Sequence, residues 1–171
     1  MKNLTTMTVS ASVAALLATS IFVVPALATP GSGFAAAPIV SGHFGTLDVK
    51  TASDKTDHWG LLLKTKDATD IAADRLTIQA SGYSGWHAHP GPVFVTVLQG
   101  SVTWYDGSNP LCTSRTYTVG ESFIERAYGV HNVRNASNSA IAEFVAITIK
   151  PDGFVGPGFR LNRDQPTNCS F

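Results

Sequence analysis

The sequence predicts an all-β fold, a sandwich or barrel of short strands. Three observations carry that expectation. Short apolar runs recur at 59–65, 75–80, 86–89, 94–98, 101–105, 115–119, 122–125, 131–135 and 141–149. Turn signals separate them: Ser81-Gly82, Gln99-Gly100, Asp106-Gly-Ser-Asn-Pro110, Val119-Gly120, Tyr128-Gly129 and Asn135-Ala-Ser-Asn138. No stretch of ten or more residues shows a 3.6-residue apolar period.

Taken in order, residues 1–28 look like an export segment. Lys2 is the only charge before Asp48, residues 9–24 are mostly apolar, and Ala26-Leu27-Ala28 fits a small-x-small cleavage site. Cleavage after Ala28 is expected, with the protein periplasmic or secreted and not held in a membrane afterwards. Residues 29–38, all small residues, glycine and proline apart from Phe34, read as a flexible lead-in. Residues 39–150 form the expected barrel domain, and 66–74 suit a helical turn or a loop. The tail, 151–171, carries three prolines and three glycines. It is expected to run irregularly over the surface, held by Phe154, Phe159 and Cys169.

Composition narrows the function. At 171 residues and 44% hydrophobic, the chain has material for one core. Its 12 basic and 12 acidic residues cancel, and no basic stripe marks a nucleic-acid binder. Cys112 and Cys169 are an even pair in a chain expected to meet an oxidising compartment, which favours a disulfide over two independent thiols. Neither lies in a Cys-x-x-Cys pair.

The chemistry concentrates in residues 82–100. His87 and His89 are two apart, so on a strand they share one face. Val93, Val95 and Val97 continue that parity and would line the same side, while Phe94, Thr96 and Leu98 face away. Pro90 and Pro92 cannot donate ladder hydrogen bonds, so a bulge or edge is expected there. His131 opens a later strand, and Glu125 ends the one before it. Period 2 turns Glu125 inward if Phe123 faces inward; otherwise it is a solvated strand-end charge beside Arg126. Glu121 and Glu143 are weaker candidates, and His43 and His58 look incidental. Tyr83, Trp86, Trp104, Tyr105 and Tyr128 are available for a pocket lip or for the core.

Residues 82–100 and 120–135 together resemble the two motifs of the cupin superfamily: glycine, His-x-His, a carboxylate and glycine, then glycine, a turn, histidine and asparagine. The resemblance covers residues 82–135 and implies a small single-domain, double-sheet jelly-roll β-barrel with His87, His89 and His131 as metal ligands. Two positions depart from the pattern. Val93 stands where the first motif has its carboxylate. Arg126-Ala127-Tyr128 replaces a proline-x-glycine turn, with Gly129 one place late. Glu125 is the replacement ligand on offer, or a catalytic base if it is not a ligand. The donors suit one divalent transition metal (Zn, Fe, Mn, Ni or Cu), and an added carboxylate favours Fe or Mn.

The expected function is that of an exported metal-binding protein acting on a small molecule. The resemblance implies a metalloenzyme of dioxygenase (oxidoreductase) or isomerase type; the alternative is a metal- or small-ligand-binding module without turnover. Expected partners are a small-molecule ligand or substrate and, as an option, a second copy in a homodimer.

Overall fold

The computed structural model describes residues 29–51, 59–156 and 159–170. The expected export segment and His58 lie outside these residues. Among the described residues no helix is long and apolar enough to cross a membrane.

The described chain is almost entirely β. In order, the strands are β1 (Ser32–Phe44), β2 (Asp48–Lys50), β3 (Leu62–Lys64), β4 (Thr69–Tyr83), β5 (His87–Ala88), β6 (Val93–Gln99), β7 (Ser101–Asp106), β8 (Ser114–Thr118), β9 (Ser122–Glu125), β10 (His131–Asn135), β11 (Ala142–Pro151) and β12 (Leu161–Asn162). Hairpin β2–β3 stands apart. The other ten form one sheet folded on itself into a near-barrel. One run is β1-β4-β11-β6-β9, the other β12-β5-β10-β7-β8, and they join where Tyr83 of β4 pairs with Arg134 of β10. This is the double-sheet jelly roll that the sequence predicts.

Alternation along the strands builds the core. Leu76 and Ile78 of β4, Val93, Val95 and Val97 of β6, Phe123 of β9 and Phe144 of β11 meet Val102, Tyr117 and Val133 from the other run. Phe94 and Leu98, on the opposite parity of β6, are exposed. The Pro90-Gly91-Pro92 segment therefore bends the chain without slipping the parity that carries the histidines into the valines. Its glycine is required by space: a Cβ there would overlap the Ile149 carbonyl oxygen.

Two expectations need correction. Residues 32–38 are not a flexible lead-in but the first half of β1, paired antiparallel along β4 from Tyr83 to Thr69. Alanine, glycine and proline have low strand propensity, so backbone pairing to a long neighbour decides the conformation. Register breaks fall between Ser32 and Phe34 and between Pro38 and Val40, where proline cannot donate to the ladder. Likewise, residues 69–74, read as a helical turn or loop, already belong to β4.

Candidate metal centre

His87 on β5 and His131 on β10 are direct cross-strand partners. His89 follows two residues after His87, just beyond β5. All three are buried, and one ring nitrogen from each lies within 4.8 Å of the other two. Ring centroids are separated by 4.9 Å (His87–His89), 4.3 Å (His87–His131) and 5.3 Å (His89–His131).

The backbone sets the tautomer of each ring. His87 Nδ1 donates to the Gly85 carbonyl at 2.8 Å, His131 Nδ1 to the Gly129 carbonyl at 2.9 Å, and His89 Nδ1 to the Phe159 carbonyl at 3.0 Å. A carbonyl only accepts, so Nδ1 carries the proton and the neutral ring keeps its lone pair on Nε2. Backbone or carboxylate acceptors on the far nitrogen are the usual support of metal-binding histidines.

Glu125 closes the arrangement. It is 4% exposed, with Oε2 3.2 Å from His89 Nε2 and Oε1 3.1 Å from His131 Nε2. Ligands about 2.0–2.2 Å from a shared ion are spaced by about this distance. In the β6–β9 pair, the residue directly opposite Glu125 is Val93. The carboxylate thus sits one strand sideways from the position where the family motif has it, still on the inward face.

The electrostatics show the fit to a cation. Burial pushes the Glu125 carboxyl up, but the imidazoles of His131 and His89 outweigh it and hold the group well below the usual carboxylate range. Burial pushes His131 down, yet the adjoining Glu125 raises it above its ordinary value. His87 is held well below its ordinary value, first by burial and then by the neighbouring His131 and Arg160 charges. His131 Nε2 is buried without a hydrogen-bond partner although a carboxylate oxygen is 3.1 Å away. With Nδ1–H committed to Gly129, that nitrogen faces the oxygen lone pair to lone pair. A proton or a metal ion between them removes the repulsion, so the four side chains fit one divalent ion.

A cavity of about 20 Å³ adjoins His87, His89 and Glu125. Its walls include Leu76, Val93 and Phe144, with Asp74, Thr148 and Arg160 adding polar groups. A separate cleft of about 290 Å³ opens beside His131, between Trp104, Asp106, Arg126 and Gly129.

Several neighbouring features explain the motif residues. Tyr128 takes the left-handed conformation (φ 58°) in the reshaped turn, and its N–H donates to the His89 carbonyl at 2.8 Å. Asn135 is structural: its buried amide donates to the carbonyls of Ile78, Gln79 and Ala140. Trp86 is a core residue at 1% exposure, and Trp104 packs against the core from one side.

The other candidates lie elsewhere. Glu121 is exposed and accepts from Thr118; Glu143 lies near Arg75. His43 is on the surface with Asp70 and Asp152. Cys112 and Cys169 form a disulfide.

Sequence reasoning missed Arg160 and Asp74. Asp74 had a signal, since it shares the parity of Leu76 and Ile78. Arg160 had none: the tail that carries it lacks periodicity, and only tertiary docking brings it to the cavity. The Arg163 N–H donates to the Trp86 carbonyl, and β12 pairs with β5.

Residues 74–148 match the cupin domain family. No curated protein matches the chain in sequence. Among solved structures, a protein of Bacillus halodurans is 22% identical, with TM-score 0.44, over 48% of this chain and 64% of its own. A cupin-like protein of Thermotoga maritima is 18% identical, with TM-score 0.45, over 57% of this chain and 67% of its own. A cupin domain of Bordetella pertussis is 20% identical, with TM-score 0.40, over 62% of this chain and 94% of its own. The chain thus spans just under two thirds of the length of the first of these. With the family's sequence pattern, a near-barrel of ten strands and a buried histidine triad, the chain carries a small domain of the cupin superfamily.

Proposed function

We propose that this protein is a small-molecule metalloenzyme of dioxygenase or isomerase type, using one divalent transition metal held by His87, His89, His131 and Glu125. The observation that carries the reading is the shared orientation of the three rings: each Nδ1 donates to a backbone carbonyl, leaving three Nε2 lone pairs to converge on a buried point. Glu125 acts as a ligand rather than a free base because both of its oxygens face imidazole nitrogens. A divalent ion held there supplies Lewis acidity toward an oxygen donor of a small substrate. The chain's own residues orient the donors, and the apolar walls around Val93 and Phe144 limit access of water.

A second reading, a metal-binding module without turnover, draws on the cavity's size. About 20 Å³ is little space for a substrate. Export remains part of the proposal; the Cys112–Cys169 disulfide suits an oxidising compartment. N-terminal sequencing of the protein recovered from cell fractions tests it, and an intact Met1 refutes cleavage.

Elemental mass spectrometry on purified protein tests the centre. Wild type is expected to hold one equivalent of metal, and His87→Ala and His131→Ala to hold none. Equal metal content in all three rejects the site. Oxygen uptake and product formation with phenols, diketones and thiols then separate enzyme from binder.

A further inference from the structure

We propose that Arg160, carried by the C-terminal tail, is the recognition residue for a small carboxylate ligand in the cavity beside His87, His89 and Glu125. The inference deepens the proposed metal site and rests on that reading for what lies next to the ligand; the contact to the anion itself is independent of it.

Arg160 lines the cavity, and its guanidinium is fixed rather than floating. Nη1 donates to the Ser84 carbonyl at 2.7 Å, and Cζ lies 5.7 Å from the centre of the Phe34 ring. Nε is buried and has no hydrogen-bond partner. Among the described residues the bond to Ser84 is its only hydrogen bond, and no carboxylate lies within ion-pair distance. The edge formed by Nε–H and Nη2–H is therefore left without a protein acceptor. Two parallel donors on a planar fork match the two oxygens of a carboxylate. A buried donor left unmatched is costly, and a bound anion relieves it while pairing with the half-buried charge.

Other groups in the cavity agree. Glu125 favours the charged guanidinium from a distance, but its oxygens face His89 and His131 and it makes no ion pair with Arg160, so the fork stays open. Burial lowers the Arg160 pKa only to about 10, so the guanidinium stays charged at neutral pH. Asp74, on the β4 wall, is 4% exposed and has no hydrogen bond from its carboxyl among the described residues. Burial raises its pKa. The cavity is small, about 20 Å³, which restricts the ligand beside the fork to a small one.

The test titrates acetate, acetamide and inorganic phosphate into purified protein by calorimetry and saturation-transfer NMR, in metal-loaded and metal-free samples. Arg160→Gln and Arg160→Lys are compared with wild type, and melting curves and metal content are recorded for each. Acetate is expected to bind wild type in preference to both acetamide and phosphate. Arg160→Gln is expected to weaken acetate at least tenfold, with metal content unchanged. Arg160→Lys keeps the charge but loses the fork, so it decides the matter if Arg160→Gln melts early; it is expected to weaken acetate about threefold or more. Acetate affinity equal to wild type in the folded variants overturns the proposal, as does phosphate binding more tightly than acetate. A wild type that takes up no metal refutes the metalloenzyme reading alone, because the Arg160 dependence is still read in the metal-free titration.

Discussion

His87, His89 and His131 lie inside the barrel at 5, 5 and 1% exposure, whereas His43 forms a second histidine–carboxylate cluster with Asp70 and Asp152 on the surface. The two clusters contain similar groups, but their hydrogen bonds run in opposite senses. In the buried set every Nδ1 is bound to a backbone carbonyl and the free nitrogens converge. On the surface, His43 Nδ1 itself lies 3.1 Å from Asp70 and 3.2 Å from Asp152, and its side chain is 63% exposed. Asp70 is already paired with Lys150 at 2.6 Å, which lowers its pKa before His43 adds to the effect. A cation therefore has a prepared place in one cluster and a resident ammonium group in the other. Proximity of ligand-type residues is common to both; what separates them is where the remaining hydrogen bonds go.

Removing a histidine from each cluster should give the largest contrast. His131→Ala is expected to reduce metal content to background and His43→Ala to leave it at the wild-type level, both read by elemental mass spectrometry. Equal loss in both would erase the distinction. Next in size is Glu125. Glu125→Gln is expected to weaken metal binding by about 10–100-fold in chelator competition, the scale of a supporting partner of the metal or more. Because Val93 and Glu125 face each other across β6 and β9, the double variant Val93→Glu/Glu125→Val should recover part of that loss. No recovery would mean that the two positions are not interchangeable ways into the centre.

The disulfide comes third. Replacing Cys112 and Cys169 by serine opens a link between residues 57 apart. The chain-entropy estimate for such a loop is about 4 kcal/mol, visible as a lower denaturant midpoint. Metal affinity should fall by less than about tenfold, since only His89 depends on the tail for orientation. The smallest effect is a proton count. His131 is raised above its ordinary 6.5 and His87 is held well below it. Near pH 6.5 the metal-free centre thus carries a proton at His131 and none at His87. Metal uptake should release about one proton per ion, and affinity should fall as pH drops through the raised His131 pKa. Calorimetry in buffers of different ionisation enthalpy measures this; release of about two protons would show that a second imidazole of the centre is charged as well.

Much of this architecture was legible in the sequence because strand parity is a local property. His87, His89, Val93, Val95 and Val97 follow one alternation, and the turns around them are marked by glycine and proline. Glu125 was legible as an inward position at a strand end, though not that it lies opposite Val93, because register between strands is set by tertiary pairing. β1 was hidden for a related reason: its alanines, glycines and Pro38 carry little strand preference of their own, and β4 imposes the conformation. Arg160 reaches the cavity through contacts made by Phe159, Leu161 and Asn162 with residues 70 or more positions earlier. No local pattern encodes such a contact.

The carbonyls that orient the three rings also differ in when they become available as the chain is made. Gly85 and Gly129 precede their histidines by two residues, so His87 and His131 can be aligned as soon as their own turns form. Phe159 follows His89 by 70 residues. During synthesis the barrel can thus assemble with two of its donors in place, while the third awaits a segment made 70 residues later. Full-strength metal capture is thereby tied to synthesis of the segment around Phe159, and a product truncated before that residue would carry all three histidines yet lack the means to aim one of them.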